Sequence, residues 1–132
     1  MTDEWRAQLR LARGEQLLGS WPVEPAAGDR SVDRPGWLIL TSRRCLFYHK
    51  AGVLGGRLEE PPSLQWPLEE VRSVAAQQFW MRIGYGDKVE MPGLGIDGYG
   101  FRLARESPSG PVVEAILRAR DARRAELHRS SP

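Results

Sequence analysis

Sulfur and imidazole are scarce in this 132-residue chain, which has one cysteine, Cys45, and two histidines, His49 and His128. A single thiol excludes an intramolecular disulfide, and Cys45 inside an apolar run reads as a small buried hydrophobe in a reducing compartment. One cysteine and two histidines fall short of a typical zinc ligand set, so no metal is expected. Cys45 and His49 share a strand face, yet four residues at ~3.3 Å each hold their backbones about 13 Å apart, too far for a nucleophile–base pair. No serine–histidine–acid set suggests itself, and Glu59–Glu60 and Glu69–Glu70 read as solvated loop acids. The expectation is no catalytic residue, no cofactor and no enzyme. Long apolar runs are also missing. None approaches the ~20 residues a membrane-spanning helix needs, and the first residues lack the basic-then-apolar pattern of a signal peptide. The expected location is cytoplasmic, with a peripheral position at a membrane as the alternative.

What is present fits one globular domain with enough length for a single core. The hydrophobic fraction is 41% and the charged fraction 27%, and five tryptophans suggest a core built from large aromatic pieces. Net charge is only +2, but it is unevenly placed. Residues 34–57 carry five basic side chains (Arg34, Arg43, Arg44, Lys50 and Arg57) and no acid, whereas residues 58–100 carry three basic and seven acidic ones. A basic segment can attract anionic lipid or nucleic acid, or it can be a solvated set of charges guarding a sheet edge.

Residues 3–13 read as a short helix, with Trp5 and Leu9 on one face and Gly14 as a stop. Glu15 to Val23 alternates as a first strand, with Leu17, Gly19, Trp21 and Val23 on one side. Residues 26–34 read as a loop. Residues 36–50 are two runs of strand-forming residues hinged at Thr41-Ser42-Arg43-Arg44, which is a β-hairpin. Gly52, Gly55, Gly56, Pro61 and Pro62 together rule out a continuous element over 50–63. Residues 63–67 read as a short strand, Leu68–Val71 as a turn and 71–78 as a strand. Lys88–Met91 and Leu94–Ile96 form an interrupted strand, and Tyr99–Ala104 a clean one. Gly93-Leu-Gly95-Ile-Asp-Gly98 matches G-x-G-x-x-G, but strand continues after it where a dinucleotide site needs a helix. Ser107-Pro-Ser-Gly-Pro111 starts a final helix over 110–127 whose apolar stripe is Val113, Ile116 and Leu117, with Val112 and Ala119 at its margin. Its arginines, beside Glu114 and Asp121, read as a solvated, ion-paired surface. No helix lies between strands, which excludes a parallel βαβ sheet.

Three stretches carry a family resemblance. Gly14-Glu15-Gln-Leu-Leu18 resembles the opening of GRAM and bacterial PH domains, where a Gly-Glu pair leads into the first strand. Gly36-Trp-Leu-Ile-Leu-Thr41-Ser42-Arg-Arg44-Cys-Leu-Phe47 resembles their apolar strand, Thr-(Ser/Asn)-x-Arg turn and second apolar strand. Trp66-Pro67-Leu68-Glu-Glu-Val71-Arg-Ser-Val74 resembles the segment leading into the next strand. The resemblance spans about residues 14–119 and implies a mainly β, PH-like split β-barrel of about seven antiparallel strands, with a C-terminal capping helix and a short N-terminal helix. The expected organisation is an N-terminal helix at 1–13, the PH-like domain at 14–127 and a frayed tail at 128–132.

The function this implies is a non-catalytic binding module acting through a protein partner or a homo-oligomer. Phe79, Trp80, Met81 and Tyr85, with Arg82 beside them, are the candidate contact residues if exposed, and core if the segment is strand. The alternative is a peripheral anionic-lipid binder of phosphoinositide type using Arg34, Arg43, Arg44, Lys50 and Arg57. Nucleic acid is the weakest of the three partners. Thr41 and Arg44 also have a local account, in which the hydroxyl bonds the turn backbone and the arginine covers a carbonyl or an acidic neighbour.

Overall fold

In the computed structural model of the chain, the structure describes residues 5–25, 30–31, 34–52, 56–104 and 106–130. Their elements run α1 (Trp5–Gln8), β1 (Leu17–Pro25), β2 (Arg30–Ser31), β3 (Gly36–Thr41), β4 (Arg44–Ala51), β5 (Arg57–Pro67), a 3-10 turn (Leu68–Glu70), β6 (Val74–Ile83), β7 (Asp87–Ile96), β8 (Tyr99–Leu103) and α2 (Ser109–Ser130). Seven strands form one antiparallel sheet in the order β5-β4-β3-β1-β8-β7-β6, and the two-residue β2 adds a parallel pairing to β8. The chain is therefore mainly β, with a short helix before the sheet and a long one after it, as the sequence implies.

The sheet curls on itself. Trp66 of β5 lies edge-on to Tyr99 and Phe101 of β8, at 5.8 and 6.2 Å between ring centres, although three strands separate β5 from β8 in the sheet. Phe47 of β4 meets Phe101 at 5.4 Å. The enclosed core takes Leu38 and Leu40 of β3, Cys45 and Phe47 of β4, and Leu94, Ile96, Phe101 and Leu103 of β7 and β8. Val112, Ile116 and Ala119 of α2 close it. The alternate residues of the first hairpin, Ile39, Leu46 and Tyr48, point to the opposite face, where Trp5 and Leu58 bury them. Covered on both faces, β3 and β4 read as nearly continuous apolar runs, because no position is left for a solvent-facing polar residue.

Several boundaries differ from the expectation, each for a physical reason. The helix expected over 3–13 spans Trp5–Gln8, with residues 1–4 outside the described residues. The backbone that would continue it bonds elsewhere: Ala12 N–H donates to the Glu15 carboxylate, and the Arg10 and Arg13 carbonyls accept from Arg44 and Arg43. Leu17 does not share a face with Trp21 and Val23. A register shift between Leu17 and Gly19 reverses the alternation, so Leu17 packs with Trp5 outside while Val23 and Trp21 join the enclosed core.

The Gly/Pro-rich 50–63 segment is a second correction, since β5 runs through Pro61 and Pro62. β4 pairs with Glu59 through His49 and with Leu64 through Phe47, so residues 60–63 bulge out of the ladder on an edge strand. Proline costs nothing where no ladder N–H is needed. Lys88–Met91 and Leu94–Ile96, expected as an interrupted strand, instead form one continuous strand in a regular hairpin with β6, from Val74 opposite Ile96 to Ile83 opposite Asp87. Pro92 fits because it pairs only with β6; β8 pairing begins at Gly93.

α2 outruns 110–127 at both ends. Ile116 is buried as expected, but the buried line runs Val112–Ile116–Ala119, through the residues expected at the margin, while Val113 and Leu117 of the expected stripe are half-buried. Its last turns are not simply solvated. Arg120 donates to the Arg72 carbonyl, and Arg124 to those of Glu69 and Val71, docking the helix on the 3-10 turn. Residues 131–132 lie outside the described residues.

Trp5 is the main weight on the outer cluster, with no exposed surface and a ring 5.6 Å from that of Trp37. Trp5→Ala is expected to cost about 3–5 kcal/mol, read as a lower urea midpoint at unchanged slope. Trp5→Phe should lose less, because the buried Trp5 Nε1–H has no hydrogen-bond partner to forfeit. A loss under about 1 kcal/mol for the alanine variant would show that α1 contributes no packing.

Candidate functional site

The turn between β3 and β4 is built around one hydroxyl. Thr41 Oγ1 accepts from the backbone N–H of Arg43 (3.1 Å) and of Arg44 (2.9 Å) and donates to Glu15 Oε2 at 2.5 Å. Its one proton and two lone pairs are thereby used. Glu15, whose side chain is 1% exposed, is gripped by Arg44 through Nε–Oε2 (2.8 Å) and Nη2–Oε1 (3.1 Å), a bidentate pair. Ala12 N–H supplies the fourth contact. Gly14 at φ +83° makes the bend that swings Glu15 inward, and a Cβ there would sit 3.3 Å from Arg43 Nη2. Gln16 and Ser42 add a reciprocal pair: Gln16 N–H donates to Ser42 Oγ, and Ser42 N–H to the Gln16 carbonyl.

Burial by itself would raise the Glu15 carboxyl. Hydrogen bonds from Arg44, Thr41 and Ala12, with the Arg44 charge, together outweigh it and hold Glu15 down at about 2. Arg43 and Arg44, named as candidate anion ligands, thus stand beside internal partners: Arg44 on Glu15 and the Arg10 carbonyl, Arg43 on the Arg13 carbonyl. They line a shallow open depression of about 530 Å³ with Arg10, Arg123, Glu15 and Glu69. Arg123 faces Glu69 at 3.7 Å and Glu126 at 2.9 Å.

The remaining basic candidates lie at the other end of β4. Lys50 and Ala51 pair with Leu58 and Arg57, whereas Arg44 pairs with Pro67. Six residues at ~3.3 Å put Arg44 and Lys50 about 20 Å apart, so the basic segment divides into two groups. Lys50 Nζ sits 5.2 Å over the Trp37 ring, Arg34 forms a two-pronged pair with Glu59, and Arg57 is exposed.

The aromatic candidates form a third place. Beyond Pro92, β7 has no β8 partner, so residues 79–91 project as a two-stranded ribbon. On one face Phe79 pairs with Met91 and Met81 with Val89, all half-buried or buried. The Phe79 ring covers Gly93, where a Cβ would come within 2.2 Å of it. Arg102 Nη1 lies 3.1 Å from Met81 Sδ. On the other face Trp80 is 65% exposed, and Tyr85 is fully exposed at the tip. The segment is strand, yet it is a satellite of the core with an open face. Sequence reasoning missed Val89, Met91 and Arg102; the alternation of Val89 and Met91 opposite Phe79 and Met81 was the available signal.

Other motifs resolve into structure. Asp97 (φ 47°) and Gly98 (φ 90°) are the two-residue turn joining β7 to β8, and the Asp97 carboxylate accepts from the N–H groups of Arg72 and Ser73. Gly93-x-Gly95-x-x-Gly98 is therefore strand and turn. Cys45 is wholly buried, and burial pushes its thiol up to about 12. Among the described residues no cluster of histidine, cysteine and carboxylate could hold a metal, and no helix is long and apolar enough to cross a membrane.

No family model and no curated protein matches the sequence. Among solved structures, the chain is similar to one described as a pleckstrin homology domain from Shewanella amazonensis SB2B, at 18% identity, covering 83% of this chain and 78% of that one, with a TM-score of 0.47.

The depressed Glu15 carboxyl sets an acid limit. Its folded value near 2 lies below the ordinary 4.5, so its stabilisation is complete above about pH 4.5 and disappears as pH falls toward 2. Glu15→Gln is expected to lower stability at pH 7 by ~3 kcal/mol and to flatten the acid limb between those values, measured by urea unfolding across pH. An unchanged acid limb in the variant would rule out Glu15 as its source.

Proposed function

We propose that the chain is a non-catalytic interaction module of the PH-like type, in its GRAM or bacterial PH branch, working by protein–protein contact or self-association through the β6–β7 ribbon. The observation that supports this most is Trp80, 65% exposed on a strand that projects past β8. Half-buried Phe79 and Met81 stiffen the ribbon from behind, and Tyr85 extends its tip. A large aromatic side chain held on a regular strand loses little freedom on contact, which is why tryptophan dominates interface energetics. By contrast, the arginine-lined depression is shallow, and Glu15 and Arg44 there are engaged with each other. That arrangement favours a structural role over chemistry.

A second reading, a peripheral anionic-lipid surface, draws on Lys50 and Arg57, which lie on adjacent strands at the end of the β4–β5 hairpin near Arg34. In either role the protein works in the cytoplasm, at the membrane surface in the second.

The two readings separate by experiment. Self-association predicts a mass in light scattering above the 14.9 kDa of one chain, rising with concentration, and a tenfold or greater weakening on Trp80→Ala. A mass of one chain at every concentration defeats the self-association form. Lipid binding predicts co-sedimentation with anionic but not neutral vesicles, weakened by salt and abolished by Lys50→Glu with Arg57→Glu. Equal background on both vesicle types ends that reading.

A further inference from the structure

The two edges of the sheet are built differently. β5, at one end of the strand order, carries Pro61 and Pro62, the charges of Arg57, Glu59 and Glu60, and a bulge that breaks its register with β4. Each of these devices blocks another strand from pairing. β6, at the other end, has no proline and no bulge. Its ten residues pair with β7 in unbroken register, include no proline or glycine, and carry a single charge, Arg82. Ala75–Gln78, Trp80 and Arg82 are exposed, and no other described strand pairs with this edge. A long, unbroken, nearly uncharged edge is a template for strand addition.

We infer that the free edge of β6 pairs antiparallel with β6 of a second copy of this chain, about a two-fold axis through Gln78, joining the two sheets into one. This rests on the proposed interaction role of the β6–β7 ribbon and names its partner. The order of side chains along β6 selects a second copy. Its first half is small (Ala75, Ala76) and its second half large (Trp80, Met81). The axis places Ala76 opposite the partner's Trp80, Ala75 opposite the partner's Met81, and Gln77 opposite the partner's Phe79. Each pair lies on one face, as a continuous sheet requires. Gln78 meets its own copy, and two neutral amides can exchange hydrogen bonds there. The two Arg82 side chains end at opposite ends of the seam, about 26 Å apart, so the one charge on the strand raises no repulsion. A two-fold contact of this kind closes on itself. With the β5 edge blocked, assembly stops at the dimer.

The test uses the full chain and three variants at an exposed position, each checked for native far-UV circular dichroism. Wild type is expected to be a dimer of about 30 kDa in sedimentation equilibrium, dissociating on dilution. Gln78→Lys and Gln78→Glu place like charges across the axis, so each alone should be a monomer at concentrations where wild type is a dimer. An equimolar mixture of the two should recover the dimer. Gln78→Cys should cross-link under mild oxidation, whereas buried Cys45 in the wild type should not. If the dimer survives both charge variants but is lost in Trp80→Ala, edge pairing is wrong while the ribbon keeps its interaction role. If the charge variants are monomers and their mixture stays monomeric, the axis is wrong and the inference falls. A wild type that is monomeric throughout overturns both edge pairing and self-association.

Discussion

A single buried carboxylate fixes the geometry of the first half of this molecule. Glu15 arrives before β1 and is met by a hydroxyl at the end of β3 and a guanidinium at the start of β4, so one ionised group ties three parts of the chain. Removing any partner would leave the others desolvated and unmatched, which is why such networks are either complete or absent. Its consequences spread outward. The same contacts stop α1 at Gln8, hold the Arg43–Arg44 turn against the preceding segment, and set the register in which Leu17 turns outward while Trp21 and Val23 turn in.

The second half is organised by shape. β8 is short, so β6 and β7 outlast their neighbour, and whatever they carry past Pro92 must find cover in the ribbon itself. Phe79, Met81, Val89 and Met91 do this on one face, packing over Gly93. The other face keeps a tryptophan in water. Meanwhile α2 crosses the corner where β5 and β6 do not pair, and Arg120 and Arg124 satisfy the carbonyls that the 3-10 turn leaves there. Arginine suits the task because its fork reaches several acceptors at once.

Much of this could be read in the sequence, and the parts that could not share a cause. The hairpin at 36–50, the strand at 99–103 and the final helix follow from local periodicity, and the order of elements implied a mainly β, antiparallel architecture closed by a C-terminal helix, which the structure has. The failures came where a residue's meaning depends on what lies across from it. Pro61 and Pro62 look like strand breakers until the bulge opposite Phe47 and His49 is known. Leu17 looks like a core residue on the face of Val23 until the register shift is known. The candidate basic set looked contiguous over residues 34–57, but a hairpin folds a contiguous run into two ends. The weight of Trp80 was undecidable from sequence for the same reason: exposure depended on the length of β8, twenty residues away.

The short helix at the start of the chain shows how assembly must proceed. Gln8 bonds both backbone groups of Leu58, fifty residues downstream, and Trp5 N–H bonds the carbonyl of Gly56. In a chain made from its N-terminus, Trp5 is therefore synthesised early but can be buried only after β5 has emerged and paired. Contacts of such separation come late, because loop closure precedes their reward. Until then Ile39, Leu46 and Tyr48 present an apolar face to solvent. During that interval the apolar face is open to a wrong partner.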